Sequence, residues 1–286
     1  MNEDFDTGAS GYIGQAITNQ LIKNQHEVVP INRKLLYGSI TELSNFVRNS
    51  DAIINLAGAS ILQRWTKKNK TRIYDSRVIT TSNLIKSINV LPEKEQPKKF
   101  ISASAIGIYN TGESHDESST NYNKGFDGKV IKDWEAATIR LPKNTVGVIF
   151  RISPVFGKES KIINNMLFPF KLGLGAKIST GKQPFPFIHI EDVVGAFVET
   201  IENNQFSGIF NLAAPQSITN DDFTKAFANS LKKSAFLTIP GFFLKLLFGE
   251  AAKILIESPE VIPRKLLDTG FNFRFKTINE LLKSIV

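Results

Sequence analysis

Thr7-Gly8-Ala9-Ser10-Gly11-Tyr12-Ile13-Gly14 sets three glycines three residues apart, just ahead of apolar side chains at helical spacing: Ile13, Ile17, Leu21 and Ile22. A strand that turns at once into a helix around a diphosphate needs this arrangement. The first glycine makes the turn, the second lets the main chain approach the anion, and the third lets the helix lie close on its strand. The N–H groups of the first helical turn then face the phosphates. His26-Glu27-Val28-Val29-Pro30-Ile31-Asn32-Arg33 follows and reads as a second strand ending in a cation. Glycine loop, helix and strand in this order distinguish a dinucleotide cradle from an ordinary glycine-rich loop.

The segment ahead of the loop fits badly. The first strand of such a sheet is central and buried on both faces, so it should be a nearly continuous apolar run. This chain has Met1-Asn2-Glu3-Asp4-Phe5-Asp6, with three carboxylates. Unpaired charge is costly in a core, so residues 1–6 are expected to pair poorly at the centre of the sheet. A truncated or misassigned start and a damaged first strand are both compatible with this.

Composition narrows the class. The chain has 286 residues, 42% of them hydrophobic, enough for a full core in one large or two small domains. It has no cysteine, which excludes disulfides and thiolate metal sites, and His26, His115 and His189 are too scattered for a histidine metal site. No secretory signal and no apolar run of spanning length are seen, so a cytoplasmic location is expected, without a membrane partner. The longest apolar stretch, Phe242 to Ile256, reads as an amphipathic helix through Leu244, Leu247, Phe248, Ala251 and Leu255. The formal net charge of +8 comes from dispersed lysines rather than a basic stripe interleaved with aromatics. Nucleic-acid binding is therefore not expected. A basic cleft for a phosphate-bearing small molecule accounts for the charge. Oligomeric state is left open.

Strand and helix patterns then alternate, as in an α/β protein with a mostly parallel sheet. The expected strands are Asp51–Gly58, Phe100–Ala105, Val146–Arg151 and Ile209–Ala213. Between Arg33 and Asp51 there is room only for a stub of strand at Leu35-Leu36-Tyr37-Gly38 before a helix at Ile40 to Val47. From Pro154 onward Gly173, Gly175, Gly181, Pro184 and Pro186 mark a loop-rich stretch, and after Pro215 the chain turns helical. Residues 1–153 read as the nucleotide-binding unit, with a return strand near 209–213. Residues 154–286 read as a smaller, mainly helical substrate-side lobe, its helical C-terminal part about 236–284. That lobe would cover the carboxyl ends of the strands, where open α/β sheets bind ligands.

Thr7–Gly14, Asn55-Leu56-Ala57-Gly58, Ile101-Ser102-Ala103-Ser104-Ala105, Gly181-Lys182-Gln183 and Ile188-His189-Ile190-Glu191-Asp192 together resemble an extended short-chain dehydrogenase/reductase. Arg64-Trp65-Thr66, Asp75-Ser76-Arg77, Leu172-Gly173-Leu174-Gly175, Val261–Leu267 and Gly270-Phe271 resemble its atypical, NADP-binding "epimerase family" branch, which has a short C-terminal domain of its own. The resemblance spans nearly the whole chain and departs at the first six residues and after Arg33. It implies a Rossmann-type doubly wound parallel sheet. It also implies a cofactor held by Gly8, Ser10, Gly11, Tyr12 and Ile13, by Asn32 and Arg33, by Asn55, Leu56, Ala57 and Gly58, and by Arg77 and Val155.

Residue chemistry points to NADP. An NAD site places a carboxylate at the end of the second strand to accept from the ribose hydroxyls. Asn32-Arg33 stands here, and a cation attracts a 2′-phosphate but cannot accept that hydrogen bond. The reaction is less legible. The superfamily's proton donor is a tyrosine with a lysine four residues on, yet the segment leading to Trp134-Glu135 holds Phe126, Asp127, Lys129, Ile131 and Lys132. Tyr122 precedes Phe126 by four, and Tyr109 precedes Glu113 by four. Ser104 is left as the catalytic candidate, at the place of the hydroxyl that orients the substrate carbonyl; a small residue required beside the nicotinamide is the bland reading. His189 is read equally well as a supporting hydrogen-bonding residue or a proton donor. Two function classes stay open: an NADP-dependent oxidoreductase or epimerase with a non-standard proton donor, and a non-catalytic NADP(H)-binding redox sensor or interaction protein.

Overall fold

The computed structural model describes residues 8–286, so the expectation for residues 1–6 lies outside the described residues. Among these the main sheet has four parallel strands in the order Ala52–Asn55, Lys99–Ala105, Val146–Ile152, Gly208–Leu212. The register pairs Asn55 with Ser102, Ser104 with Arg151, and Arg151 with Asn211. Lys99–Ala105 is buried along almost all its length, as a strand covered on both faces must be.

Both faces carry helices, which makes the fold α/β and doubly wound. On one, Ile17 and Leu21 of the Tyr12–Lys23 helix and Val193 and Phe197 of the Ile190–Glu202 helix pack on Ile101, Val148, Phe150 and Phe210. On the other, the Ile40–Val47 and Thr80–Asn89 helices set Leu43, Val47, Leu84 and Ile88 against Ile53 and Phe100. A second apolar centre lies where the helices Lys161–Lys171, Asn220–Ser230 and Ile278–Ile285 enclose Phe156, Phe170, Phe187, Phe223, Phe227 and Leu281. Both of the last two helices begin in capping boxes, Thr219 with Asp222 and Thr277 with Glu280. Among the described residues no helix is long and apolar enough to cross a membrane.

Three local expectations are corrected. Residues 26–31 pair with no strand among the described residues, where the sheet's edge is Ala52–Asn55. A ladder needs a paired neighbour, and the segment that precedes the glycine loop is outside the described residues. Leu35–Tyr37 is helical rather than a strand stub, because the Asn32 side chain accepts from Leu35 N–H at 3.0 Å and starts the short Arg33–Tyr37 helix. The stretch from Phe242 to Ile256 is not one helix. Gly249 takes a φ of +61° and ends Gly241–Phe248; a 3₁₀ turn and the Lys253–Ile256 turn follow. The break changes which side is buried. Leu244 and Ala251 are covered, whereas Phe242 and Leu247 are 74% and 48% exposed.

One charged group is part of the scaffold. Lys99 enters the core at the start of its strand, and its ammonium donates to the carbonyls of Thr200, Ile201 and Asn203 at 2.7, 2.8 and 3.2 Å. These are the otherwise unpaired acceptors at the C-terminus of Ile190–Glu202, where positive charge is favoured. Burial lowers the Lys99 pKa from its ordinary value. Replacing Lys99 with Met keeps the stem's volume but strands three acceptors. Chemical denaturation should show a loss of about 1–3 kcal/mol, and an unchanged midpoint would refute this role.

Candidate nucleotide site and the polar row beside it

The glycine loop is as tight as its sequence requires. Gly8 has φ +90°, and a Cβ there would sit 2.5 Å from the Leu56 carbonyl oxygen. A Cβ on Gly14 would lie 1.8 Å from the Gly8 carbonyl oxygen, so the helix approaches the loop as only glycine permits. Gly11 N–H donates to that same oxygen at 3.0 Å. No side chain caps the Tyr12–Lys23 helix, so the N–H groups at its start are left to an anion. These features fit a pyrophosphate. Ser10 and Ile13 lie at the same helix start. Tyr12 lies against Gly157, and burial, with the Glu159 charge second, pushes its phenol up to about 12. It stays protonated and is no substitute for the missing acid/base tyrosine.

Asn55, Leu56, Ala57 and Gly58 run from the adjacent strand end past Gly8. Asn55 is fully buried: its amide donates to Thr81 Oγ1 at 2.7 Å and its carbonyl oxygen accepts from Ala57 N–H at 3.3 Å. It therefore shapes the loop from below. Arg77 lies over Gly58, where a Cβ would come within 3.0 Å of the guanidinium. Arg77 rides on a turn of π-helix, Asp75–Ile79, inserted between Lys67–Tyr74 and Thr80–Asn89. Such bulges re-aim a side chain within a helix. Its guanidinium is 5.5 Å from the Trp134 ring centroid and donates to Ile73 O at 3.3 Å. Burial lowers its pKa to about 10, still cationic at neutral pH.

Arg33 comes to a pocket that Ala57 and Gly58 also line. It lines this pocket with Tyr37, Ser76 and Thr80, its guanidinium 5.4 Å from the Tyr37 ring centroid. Asn32 has its carbonyl oxygen committed to the helix cap. Val155, in the short Val155–Phe156 strand beside Ile188–His189, packs against the main core.

Beside this cradle, Ser104, Arg151 and Asn211 are aligned across three neighbouring strands near their C-terminal ends. The Phe126–Thr138 helix places Glu135 on them. Ser104 Oγ donates to Glu135 Oε1 at 2.6 Å, and Arg151 binds both carboxylate oxygens at 2.8 and 2.7 Å. Arg151 also donates to the Tyr109 hydroxyl at 2.8 Å, which in turn donates to Asn211 Oδ1 at 2.7 Å. Burial opposes the charge on Arg151, but Glu135 and Tyr109 overcome it and hold its pKa above the ordinary arginine value. Burial raises the Tyr109 phenol too, against the pull of Arg151. The sequence reading did not find this network. Its members are scattered over more than 100 residues, and only strand register brings them together.

Ile188–Asp192 does a structural job. His189 caps the Ile190–Glu202 helix, its Nδ1 accepting from Glu191 N–H at 3.2 Å, while Nε2 contacts Ser284 Oγ at 3.1 Å. Its ring lies 3.8 Å from that of Phe275. Burial lowers its pKa to about 4, so it is neutral at pH 7. Asp192 accepts from the N–H groups of Arg274 and Phe275 at 2.7 and 3.2 Å. The motif thus ties the C-terminal segment to the sheet.

Comparison with known proteins agrees with this architecture. The model of the NAD dependent epimerase/dehydratase family matches residues 7–213, and a domain of unknown function, DUF1731, matches residues 239–285. The chain belongs to the NAD dependent epimerase/dehydratase family. The mouse epimerase family protein SDR39U1 is 36% identical over 289 residues, covering 98% of each chain. The Bacillus subtilis epimerase family protein YfhF is 29% identical, covering 98% of this chain and 96% of its own. A crystal structure of human SDR39U1 (isoform 2) with NADPH superposes with a TM-score of 0.89 at 35% identity, covering 97% of both. UDP-glucuronic acid 4-epimerase from Bacillus cereus shares the epimerase fold at a TM-score of 0.75 and 16% identity, covering 97% of this chain and 96% of its own.

The His189 shift makes stability depend on pH. Its folded pKa of about 4 lies below the ordinary 6.5, so the unfolded chain binds the proton more readily. Its contribution is complete above pH 6.5 and is lost as pH falls toward 4, by up to about 3 kcal/mol. Denaturation at pH 7 and pH 4.5 should therefore show a larger acid loss for the native chain than for His189→Gln. Equal losses would remove His189 as the cause.

Proposed function

We propose that this chain binds NADP(H) and acts as an oxidoreductase or epimerase on a carbonyl or carbinol substrate. The glycine cradle, Arg77 over Gly58 and Arg33 beside Tyr37 support the cofactor, and human SDR39U1, similar along its whole length, was crystallised with NADPH. When bound, the nicotinamide supplies or takes the hydride. The observation that carries a catalytic role is the 2.6 Å hydrogen bond from Ser104 to a carboxylate clamped by Arg151.

That bond fixes what Ser104 offers. Its proton points to Glu135, so its oxygen presents lone pairs and is suited to accept from a carbinol hydroxyl. In the oxidative direction the carbinol proton passes to Ser104 Oγ while the serine proton moves to Glu135; reduction runs the reverse. Arg151 orients the Glu135 carboxylate through both of its oxygens, in the place of the lysine that supports the usual tyrosine. Ser104 is the catalytic residue in this reading, with Glu135 and Arg151 positioning it and carrying its proton.

A non-catalytic NADP(H)-binding role is favoured by one observation: Ser104 is only 4% exposed and already bonded. Turnover of NADPH with a panel of aldehydes and ketones separates the two. Ser104→Ala should cut carbonyl reduction at least 100-fold, on the scale of losing a proton-transfer group, with NADPH affinity changed less than twofold. Unaltered turnover in that variant overturns the catalytic assignment, and NADPH binding without turnover supports the non-catalytic role. Failure of the native chain to bind NADPH overturns both.

A further inference from the structure

We propose that this protein docks on the surface of an anionic lipid bilayer through the Gly241–Phe248 helix. At about 3.6 residues per turn, Phe242, Leu246, Phe243 and Leu247 fall side by side on one face of that helix. They are 74%, 66%, 47% and 48% exposed, while Leu244 is buried. The helix is held in place. Arg64 Nε donates to the Leu247 carbonyl at 2.9 Å and its guanidinium also bonds the Leu246 carbonyl, and Glu250, just beyond the helix, pairs with Lys70 at 2.6 Å. Ahead of the helix the Leu237–Ile239 strand pairs with Ala176–Ile178, Leu237 opposite Ala176. A Cβ on Gly241 would lie 3.6 Å from Ser179 Oγ, and one on Gly175 would lie 3.1 Å from Ala235 Cβ. The ribbon is only about 10 Å long by strand rise, so Leu174 and Phe236 at one end stay close to the helix at the other. Both are exposed, Phe236 by 78%.

A monomer seldom leaves so many neighbouring large apolar groups in water, and the charges around them indicate what covers them. Residues 161–182 and 223–249 hold eight lysines and no aspartate or glutamate. Asp221 pairs with two of these, Lys177 at 3.7 Å and Lys225 at 2.6 Å. Lys161, Lys171, Lys182, Lys232, Lys233 and Lys245 are in no ion pair among the described residues. A second copy placed by a two-fold axis would set the patch against itself and bring its lysines together. An apolar groove on another protein would leave the ammonium groups without a counter-charge. Side chains three-quarters exposed, as Phe242 is, also protrude rather than line a groove. A bilayer with anionic headgroups meets both requirements: phenylalanine and leucine enter the boundary between headgroups and acyl chains, and the lysines face the lipid phosphates. The formal net charge of +8 acts in the same direction. The sequence-based expectation of no membrane partner rests on the lack of a spanning run, which contact with a bilayer surface does not require.

The chain has no cysteine, so Leu246→Cys takes a single environment-sensitive dye. Its emission should shift to the blue on vesicles of phosphatidylglycerol mixed equally with phosphatidylcholine, and not on phosphatidylcholine alone. A dye at Ile139→Cys, an 82% exposed position just after the Phe126–Thr138 helix, should not respond. In co-sedimentation with the mixed vesicles, the double variant Phe242→Ser, Leu246→Ser should bind roughly tenfold or more weakly, the scale of apolar side chains kept in water. Lys232→Glu with Lys233→Glu should lose about as much, high salt should weaken the native chain, and melting temperatures should stay unchanged. The absence of a blue shift at Leu246→Cys, equal binding to phosphatidylcholine vesicles, or undiminished binding by the serine variant would each overturn the proposal. A native dimer that the serine variant breaks would overturn it in favour of a second copy. Polyglutamate bound as tightly as the vesicles, with the same dependence on Phe242 and Leu246, would overturn it in favour of an acidic polypeptide.

Discussion

The buried ion pair between Arg151 and Glu135 organises the strand ends beside the glycine cradle. Arg151 lies in the middle of the sheet and is among the largest fully buried side chains in the protein. A charge there is tolerable only with near-complete compensation, and removing one partner of such a pair typically costs about 3–5 kcal/mol. Compensation is supplied from three directions: the two carboxylate oxygens of Glu135, the hydroxyl of Tyr109, and through it Asn211. Each partner is fixed in turn, and Ser104 is fixed with them. A hydrophobic pair would stabilise such a core as well, so the polar row is better explained by what it holds at the strand ends than by stability alone.

The cofactor end is built on the opposite logic. There the backbone comes very close, Gly14 against Gly8 and Gly8 against Leu56, and Arg77 beside Gly58 makes its hydrogen bonds to the neutral oxygens of Ile73 and Ser76. Close packing fixes where an anion can sit, and in the proposed reading the arginines supply the attraction. The π-helical turn at Asp75–Ile79 links the ends: it swings Arg77 over Gly58 while its neighbour Thr81, in the following helix, receives hydrogen bonds from Asn55 and Trp134. Trp134 is adjacent to Glu135, so the helix that positions Ser104 also supports the Arg77 side of the cradle.

The helical C-terminal region is attached through buried polar contacts as well as apolar ones. His189 and Asp192 at the start of one helix meet Ser284 and the N–H groups of Arg274 and Phe275. On the other side Lys253 reaches Asp127 at 2.6 Å, and Arg64 bonds carbonyls of the Gly241–Phe248 helix. The C-terminal segment is thus clamped to both the sheet and the helix that carries Glu135.

The sequence by itself determined the α/β class, the glycine cradle, the four described strands and the cation at Arg33, because these follow from local spacing: three glycines, short apolar runs, and helical periodicity. It also showed that the Tyr-x-x-x-Lys pair is missing. It misplaced what depends on neighbours. Residues 26–31 have strand composition but no ladder among the described residues; Leu35–Tyr37 turns helical through the Asn32 cap; and Phe242–Ile256 breaks at Gly249, whose positive φ periodicity does not register. The roles of polar residues were decided only by tertiary structure. His189 becomes a neutral cap, Asn55 turns inward, and Ser104 donates to a carboxylate 31 residues away. Strand register and a helix packed across it set those partners, and register is a property of the assembled sheet that no single strand's sequence carries.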